Sequence, residues 1–219
     1  MTADSEISTR VLTVSATYGA GGSVIAPRIA ELLGVPFFDR LIHGEETRSV
    51  DKIVERLTSE EREQAPPGRL LSGLSNLTSV LGLPVPSTDD RDPRVHLRRQ
   101  VEASVGRIAA GDGGVILGRA AAVVLAKDPM SFNVRLIGPA SRRLAQAMKV
   151  EDVSKSEAEA RLVDTDRAWA RFVTRLFDHD PADPALYHLI IDSTVLPLER
   201  TAEIVIAAAT AFWETRVNA

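Results

Sequence analysis

The sequence contains no cysteine, and this absence excludes disulfide bonds and thiolate metal sites. Histidine is also scarce, and the four residues show neither an HExxH motif nor paired spacing: His43, His96, His179 and His188. A zinc site is built from several such ligands at short, regular spacings. The sequence therefore gives no support for a zinc centre.

Long hydrophobic runs are absent as well. The longest apolar stretches, such as residues 204–212, fall well short of the roughly 20 residues needed to cross a bilayer. The first ten residues, MTADSEISTR, lack the apolar core of a secretory signal peptide. We therefore expect a cytoplasmic protein without membrane insertion.

Lysine is the third shortage. Only four of the 26 basic residues are lysine, the other 22 are arginine, and the formal net charge is −4. A chain without a basic footprint is not expected to bind nucleic acid. Arginine binds phosphate through paired hydrogen bonds and keeps its charge, so this composition suits a phosphate site. A general preference for arginine codons would give the same count, and both explanations stay open.

Segments that favour strands alternate with segments of helical spacing. The strand-like runs begin at Val11, Val35, Val115, Asn133 and Tyr187. This order predicts a three-layer α/β fold in which a mostly parallel, five-stranded sheet lies between helices. A length of 219 residues suits one domain over residues 1–219.

The segment VLTVSATYGAGGS joins an apolar strand to a glycine-rich turn and a helix that begins near Val24. Such a turn presents free N–H groups and the positive end of a helix dipole to an anion. Against the template GxxxxGK[ST], Gly21 and Ser23 match, whereas Ala16 replaces the first glycine and Gly22 replaces the lysine. The segment therefore predicts a phosphate-binding loop.

Two other interpretations of this turn remain. The dinucleotide motif GxGxxG fits Gly19 and Gly21 and finds an acid at Asp39, but it requires glycine where Val24 stands. A turn with only a structural role is the second alternative. Neither is excluded by the residues alone.

Two further segments bear on domain organisation. Residues 58–94 carry prolines, acids and a leucine-bearing stretch, which equally suits an acceptor-side flap and a docking helix for a second copy in a homodimer. A long helix through residue 177 opens with Ser154 and Glu157 at capping-box spacing. We interpret residues 150–180 as a helical lid.

Arginines follow several predicted strands. Arg119 comes directly after a buried strand, where a guanidinium at the rim of the sheet is available for phosphate. Asp39 and Arg40 follow another strand, although they also suit a local ion pair or a helix cap. On the lid helix, Arg167 and Arg171 project from the same face because they are four residues apart.

Six motifs, in this order, resemble the cytidylate kinase-like family of P-loop nucleoside monophosphate kinases: SATYGAGGS, GVPFFDR, GDGGVILGRA, VRLIGPASRR, DTDRAWARF and DPALYHLIIDSTVLPLE. The resemblance covers most of the chain. It implies a P-loop NTPase-type three-layer fold with a helical lid and flap. It also implies transfer of the γ-phosphoryl group of ATP to CMP or dCMP, with Mg²⁺, to give ADP and CDP or dCDP.

The resemblance also implies roles for individual residues. The donor nucleotide would be held by Tyr18, Gly19, Ala20, Gly21, Gly22 and Ser23, with Ser23 at the metal. The acceptor would be held by Asp39, Arg40 and Arg119, and catalysis would involve Arg119, Arg143, Arg167 and Arg171. Because Gly22 replaces the lysine, a catalytically weak nucleotide-binding module is an alternative. A kinase for another small acceptor is a further one.

Overall fold

The computed structural model describes residues 9–39 and 93–217. Its strands are β1 (Val11–Ala16), β2 (Phe37–Phe38), β3 (Gly114–Leu117), β4 (Ser131–Ile137) and β5 (Leu189–Asp192). Its α-helices are α1 (Gly22–Leu33), α2 (Pro93–Ala110), α3 (Ala121–Val124), α4 (Ala140–Glu151), α5 (Lys155–Phe177) and α6 (Leu198–Val217), and a 3₁₀ turn spans Pro184–Leu186.

The five strands form one parallel sheet in the order β2-β3-β1-β4-β5. The central strand β1 pairs with β3 on one side, where Val11 lies opposite Gly114, and with β4 on the other, where Val11 lies opposite Ser131. Since all strands run the same way, their carboxyl ends meet at one edge, where ligands bind in open α/β sheets. The glycine loop lies at this edge.

Each face of the sheet is covered by its own apolar core. On one face, Leu12, Val14 and Leu136 pack with α1 and α6 through residues such as Ile29 and Val205. On the other face, a second set packs with α2, α3 and α5: Val11, Ile116, Leu97, Val101, Val105, Ala121, Val173, Leu176 and Phe177. Alternating side-chain directions along β1 send Val11 and Leu12 to opposite faces.

These observations confirm the predicted α/β fold with a parallel five-stranded sheet between helical layers. Ser154 caps the start of α5 as predicted, because its hydroxyl accepts a hydrogen bond from the backbone N–H of Glu157 at 3.3 Å, whereas the Glu157 carboxylate accepts from Arg161 Nη2. The predicted helix over residues 41–57, almost all of the segment 58–94, and Arg40 lie outside the described residues. In the described ranges, no helix is long and apolar enough to cross a membrane.

Candidate active site

The glycine loop connects β1 to α1 and requires glycine at two positions. Gly19 and Gly21 have φ of +75° and +77°, a region that residues with a Cβ rarely adopt. A Cβ at Gly19 would collide with the backbone carbonyl of Arg143, and one at Gly21 would lie 2.7 Å from Leu198 Cδ2. The loop is thus pressed against α4 and the start of α6.

The loop presents several free hydrogen-bond donors. No described residue accepts a hydrogen bond from the backbone N–H groups of Gly19, Gly21, Gly22 or Ser23. Two of these residues form the first turn of α1, where the helix dipole places partial positive charge. This donor set suits an anion such as a phosphate group.

Side chains of the scaffold hold the loop carbonyls. Arg143 Nη1 donates to the carbonyl of Tyr18 at 2.7 Å, Gln146 Nε2 to that of Gly19 at 2.9 Å, and Ser193 Oγ to that of Ala20 at 2.6 Å. Three consecutive peptide groups are therefore fixed by hydrogen bonds within the protein. Such preorganisation reduces the cost of ordering the loop on binding.

Arg143 lies beneath the loop rather than on an open surface. Only 8% of the residue is exposed, and its guanidinium donates to Gly138 O at 2.9 Å, to Tyr18 O and to Asp166 Oδ2 at 2.8 Å. Asp166, on α5, also accepts from the backbone N–H of Tyr18 at 2.8 Å. These contacts make Arg143 a support of the loop, and a direct catalytic role for it stays a prediction.

The Tyr18 side chain anchors the loop to α4 and α5. Its hydroxyl donates to Glu151 Oε2 at 2.9 Å, and Arg161 Nη1 donates to the same oxygen at 2.8 Å. Burial raises the pKa of Tyr18 to about 12, and the hydrogen bond to the Glu151 carboxylate acts in the same direction. The phenol therefore stays protonated at physiological pH.

Arg119 lies at the end of β3, inside a strained turn. Gly118, Arg119 and Ala120 all have positive φ, of 74°, 56° and 51°, and strain at non-glycine residues concentrates at functional sites. Arg119 Nε donates to Asp39 O at 2.6 Å, so the two strand ends meet as expected. Burial lowers the pKa of Arg119, and the Asp39 charge opposes this. Its terminal nitrogens have no partner among the described residues.

Three remaining predicted residues are exposed. Within the ranges described, Arg167 and Arg171 have no carboxylate partner, and the Ser23 hydroxyl makes no hydrogen bond. The described residues also contain no group of three or more histidine or acidic side chains that could hold a metal by themselves. A magnesium ion held through phosphates needs few protein ligands, so one hydroxyl at Ser23 is compatible with it.

A small pocket opens between α5 and the carboxyl ends of β1 and β3. Its lining includes Ser15, Gly118, Ala120, Trp169 and Tyr187. The Trp169 indole N–H is buried and has no hydrogen-bond partner. The pocket thus leaves one polar group of α5 without a hydrogen-bond partner among the described residues.

Sequence reasoning missed three contacts that shape the loop. Gln146, Asp166 and Ser193 act through contacts 127, 148 and 173 residues away in the chain. Asp166 and Ser193 do lie within the quoted motifs DTDRAWARF and DPALYHLIIDSTVLPLE. Their positions in these motifs indicated a role in function, but no local sequence feature indicated which group they would bind.

Comparison with known proteins gives one relative of similar length. The cytidylate kinase of Aeropyrum pernix is 25% identical over 201 residues, which are 90% of this chain and 96% of that protein. The uronate isomerase of Corynebacterium glutamicum is 26% identical over 98 residues, or 45% of this chain. The chain spans only 19% of that second relative.

Among solved structures, a gluconokinase from Sinorhizobium meliloti 1021 has the same fold. Its TM-score is 0.50 at 17% identity, with 96% of this chain and 97% of that chain covered. Fold and family together support a kinase-like phosphotransferase. The family model described as the cytidylate kinase-like family matches residues 11–195, which is most of the sequence, and the protein therefore belongs to the cytidylate kinase-like family.

Proposed function

We propose that the protein transfers the γ-phosphoryl group of ATP to CMP or dCMP, forming ADP and CDP or dCDP. The observation that carries this proposal is the glycine loop, in which four backbone N–H groups in and before the first turn of α1 have no acceptor among the described residues. Membership of the family and the similarity to a named cytidylate kinase support the choice of acceptor.

Residues 18–23 bind the phosphate donor ATP. The free N–H groups of Gly19, Gly21, Gly22 and Ser23 bind the ATP phosphates, and the exposed Ser23 hydroxyl is the protein ligand of Mg²⁺. Bound Mg²⁺ neutralises phosphate charge. Tyr18 and Ala20 contribute through their carbonyls, which hold the loop in shape.

The acceptor side belongs to the ends of β2 and β3. Arg119 binds the acceptor phosphate through its free terminal nitrogens, and Asp39 keeps the Arg119 guanidinium in place through a carbonyl. Arg40 follows Asp39 in the chain and is assigned to the same phosphate. A fixed acceptor phosphate matters because in-line positioning supplies much of the rate in phosphoryl transfer.

Gly22 leaves the loop without the lysine that normally reaches the outer phosphates. Exposed Arg167 and Arg171 on α5 are the cations that take over the neutralisation of charge on the transferred group. Arginine suits this task because its fork binds phosphate in a bidentate manner. Arg143 supports the loop through its hydrogen bond to the Tyr18 carbonyl.

The test is release of ADP by the purified protein with ATP and Mg²⁺. The acceptors are CMP, dCMP, UMP, AMP and GMP, and gluconate is included because of the fold neighbour. Release that depends on CMP or dCMP is the expected result. Release with another acceptor would overturn the cytidylate assignment and leave a kinase.

The absence of the lysine favours one other function, a nucleotide-binding module with little transfer activity. This alternative predicts that ATP binds and that no acceptor accelerates ADP release. A titration with a fluorescent ATP analogue beside the release assay separates the two functions.

A further inference from the structure

Asp166 joins α5 to the glycine loop, and the proposed mechanism gives this residue no role. Its Oδ1 accepts from Tyr18 N–H at 2.8 Å, and its Oδ2 accepts from Arg143 Nη1 at 2.8 Å. The same Arg143 nitrogen donates to Tyr18 O. The Asp166 carboxylate therefore binds the N–H group of Tyr18, and the Arg143 guanidinium binds its carbonyl. We call this pair of contacts the bracket.

The position of Asp166 on α5 gives this bracket a second effect. Arg167 is the next residue. Arg171 lies five residues after Asp166, which is about 8 Å along the helix axis at 1.5 Å per residue. Both arginines are exposed, and neither has a carboxylate partner among the described residues. The location of both guanidinium groups relative to the loop thus depends on how α5 is held at Asp166.

A small pocket lies below this part of α5. The pocket under α5 is lined by Trp169, and its indole N–H is buried without a partner. Apolar packing of α5 lies on both sides of Asp166, through Ala158 and Leu162 beside Tyr18 and through Phe172 and Val173 against the sheet. Asp166 adds the contact of this segment with the loop backbone, beside the contacts that the Tyr18 side chain makes with α4 and α5.

We propose that Asp166 is a positioning residue, which fixes α5 to the glycine loop so that Arg167 and Arg171 reach the phosphates bound there. This inference rests on the proposed phosphotransferase function. The buried Arg143 is electrically balanced by Asp166, so the bracket adds no net charge beside an anion site. The coupling between Asp166 and the bound nucleotide therefore comes from the position of α5 and not from electrostatic attraction of the nucleotide.

The main variant is Asp166→Asn. Its amide oxygen still accepts from Tyr18 N–H, but its NH₂ group cannot accept from Arg143. Arg143→Lys breaks the bracket from the other side without altering α5, because lysine lacks the planar fork. Asp164→Asn is the matched control, since this acid is exposed on the same helix and makes no described contact.

A double-mutant cycle on kcat is the first readout. In the wild-type background, Arg167→Ala should lower kcat about tenfold or more, and in the Asp166→Asn background by less than about twofold. The Asp164→Asn background should retain the full effect. Independent, multiplicative losses would show that Asp166 only stabilises the fold, and would overturn the proposal.

Hydrogen exchange of α5 with and without an ATP analogue is the second readout, and it does not depend on turnover. Wild-type protein should show slower exchange in residues 163–172 when the analogue binds. Asp166→Asn should bind the analogue within about twofold and lose this protection, and Arg143→Lys should lose it at analogue concentrations that saturate this variant. Protection that survives in both variants overturns the coupling alone, whereas a wild-type loop that binds no nucleotide overturns the proposed function as well.

Discussion

Gly19 illustrates how one residue limits what the loop can bind. Its φ of +75° and its contact with the Arg143 carbonyl leave no room for a side chain. The neighbouring carbonyls are already held by the scaffold, so the loop cannot relax around a new methyl group without losing hydrogen bonds.

Gly19→Ala should therefore weaken ATP binding by about tenfold or more, because the substitution strains the backbone and moves free N–H groups. Equilibrium titration with a fluorescent ATP analogue measures this. Gly106→Ala is the control, since nothing lies within 4 Å of a Cβ at this helical position. Replacing a helical glycine there should leave ATP binding unchanged and stabilise the fold by about 0.5–1 kcal/mol.

Arg119 is the residue whose loss should affect chemistry most. Arg119→Ala should lower kcat by several powers of ten with little change in ATP affinity, because the lost charge acts chiefly in the transition state. Steady-state ADP release and ATP titration provide the two numbers. Arg28→Ala removes an exposed arginine paired with Glu31 on α1 and should leave both unchanged. Normal turnover in the Arg119 variant would contradict the site assignment.

At the scale of elements, a histidine directly before the edge strand β5 adds contacts to the pairing of β4 with β5. The ring Nδ1 of His188 accepts from the backbone N–H of Asn133 at 2.9 Å, and the backbone N–H of His188 donates to the carbonyl of Asn133 at 2.8 Å. The ring also packs against Phe132 and Phe212, with centroid distances of 5.4 and 4.8 Å. One side chain thus connects β4, β5 and α6.

This connection should make stability depend on pH. Burial lowers the pKa of His188 below its ordinary value of 6.5, and the charge of Arg216 acts in the same direction. The unfolded chain therefore binds this proton more readily, so the contribution is complete above pH 6.5 and is lost as the pH falls through the lower folded pKa.

Urea unfolding at pH 7.5 and pH 5.5 measures the effect, and the midpoint should fall at the lower pH. His188→Gln removes the titrating ring, so its midpoint should change less between the two conditions. An equal change in the variant would assign the pH dependence to other groups.

The elements were predictable from local patterns, but part of the site was not. Apolar alternation and the glycine turn predict β1, the loop and α1, and Ser154 with Glu157 predicts the start of α5. The contacts of Gln146, Asp166 and Ser193 with the loop depend on tertiary packing across more than a hundred residues. For the same reason, the buried position of Arg143 could not be inferred from its place near a strand end.

At the scale of the whole molecule, a ligand of the loop should stabilise the complete fold. The loop contacts α4, α5 and the end of β5, so an opened fold cannot retain the site. At a free ATP concentration of 100 times Kd, linkage gives about 2.7 kcal/mol of added stability and a higher Tm.

Thermal unfolding with increasing ATP and Mg²⁺ measures this stabilisation. Gly19→Ala should show little shift at the same concentrations, and Gly106→Ala should shift like the wild type. A nucleotide effect of equal size in both variants would place binding elsewhere on the molecule.

The position of β1 has a consequence for biosynthesis. This apolar strand is made first, but its partners β3 and β4 begin at Gly114 and Ser131. At roughly 5–20 residues per second, a ribosome needs on the order of 5–20 s to deliver β3. The nascent chain therefore carries an unpaired hydrophobic strand during that interval, a state prone to aggregation and suited to chaperone binding. The support of the loop by Ser193, whose hydroxyl donates to the carbonyl of Ala20, also forms only after the C-terminal part of the chain has been made.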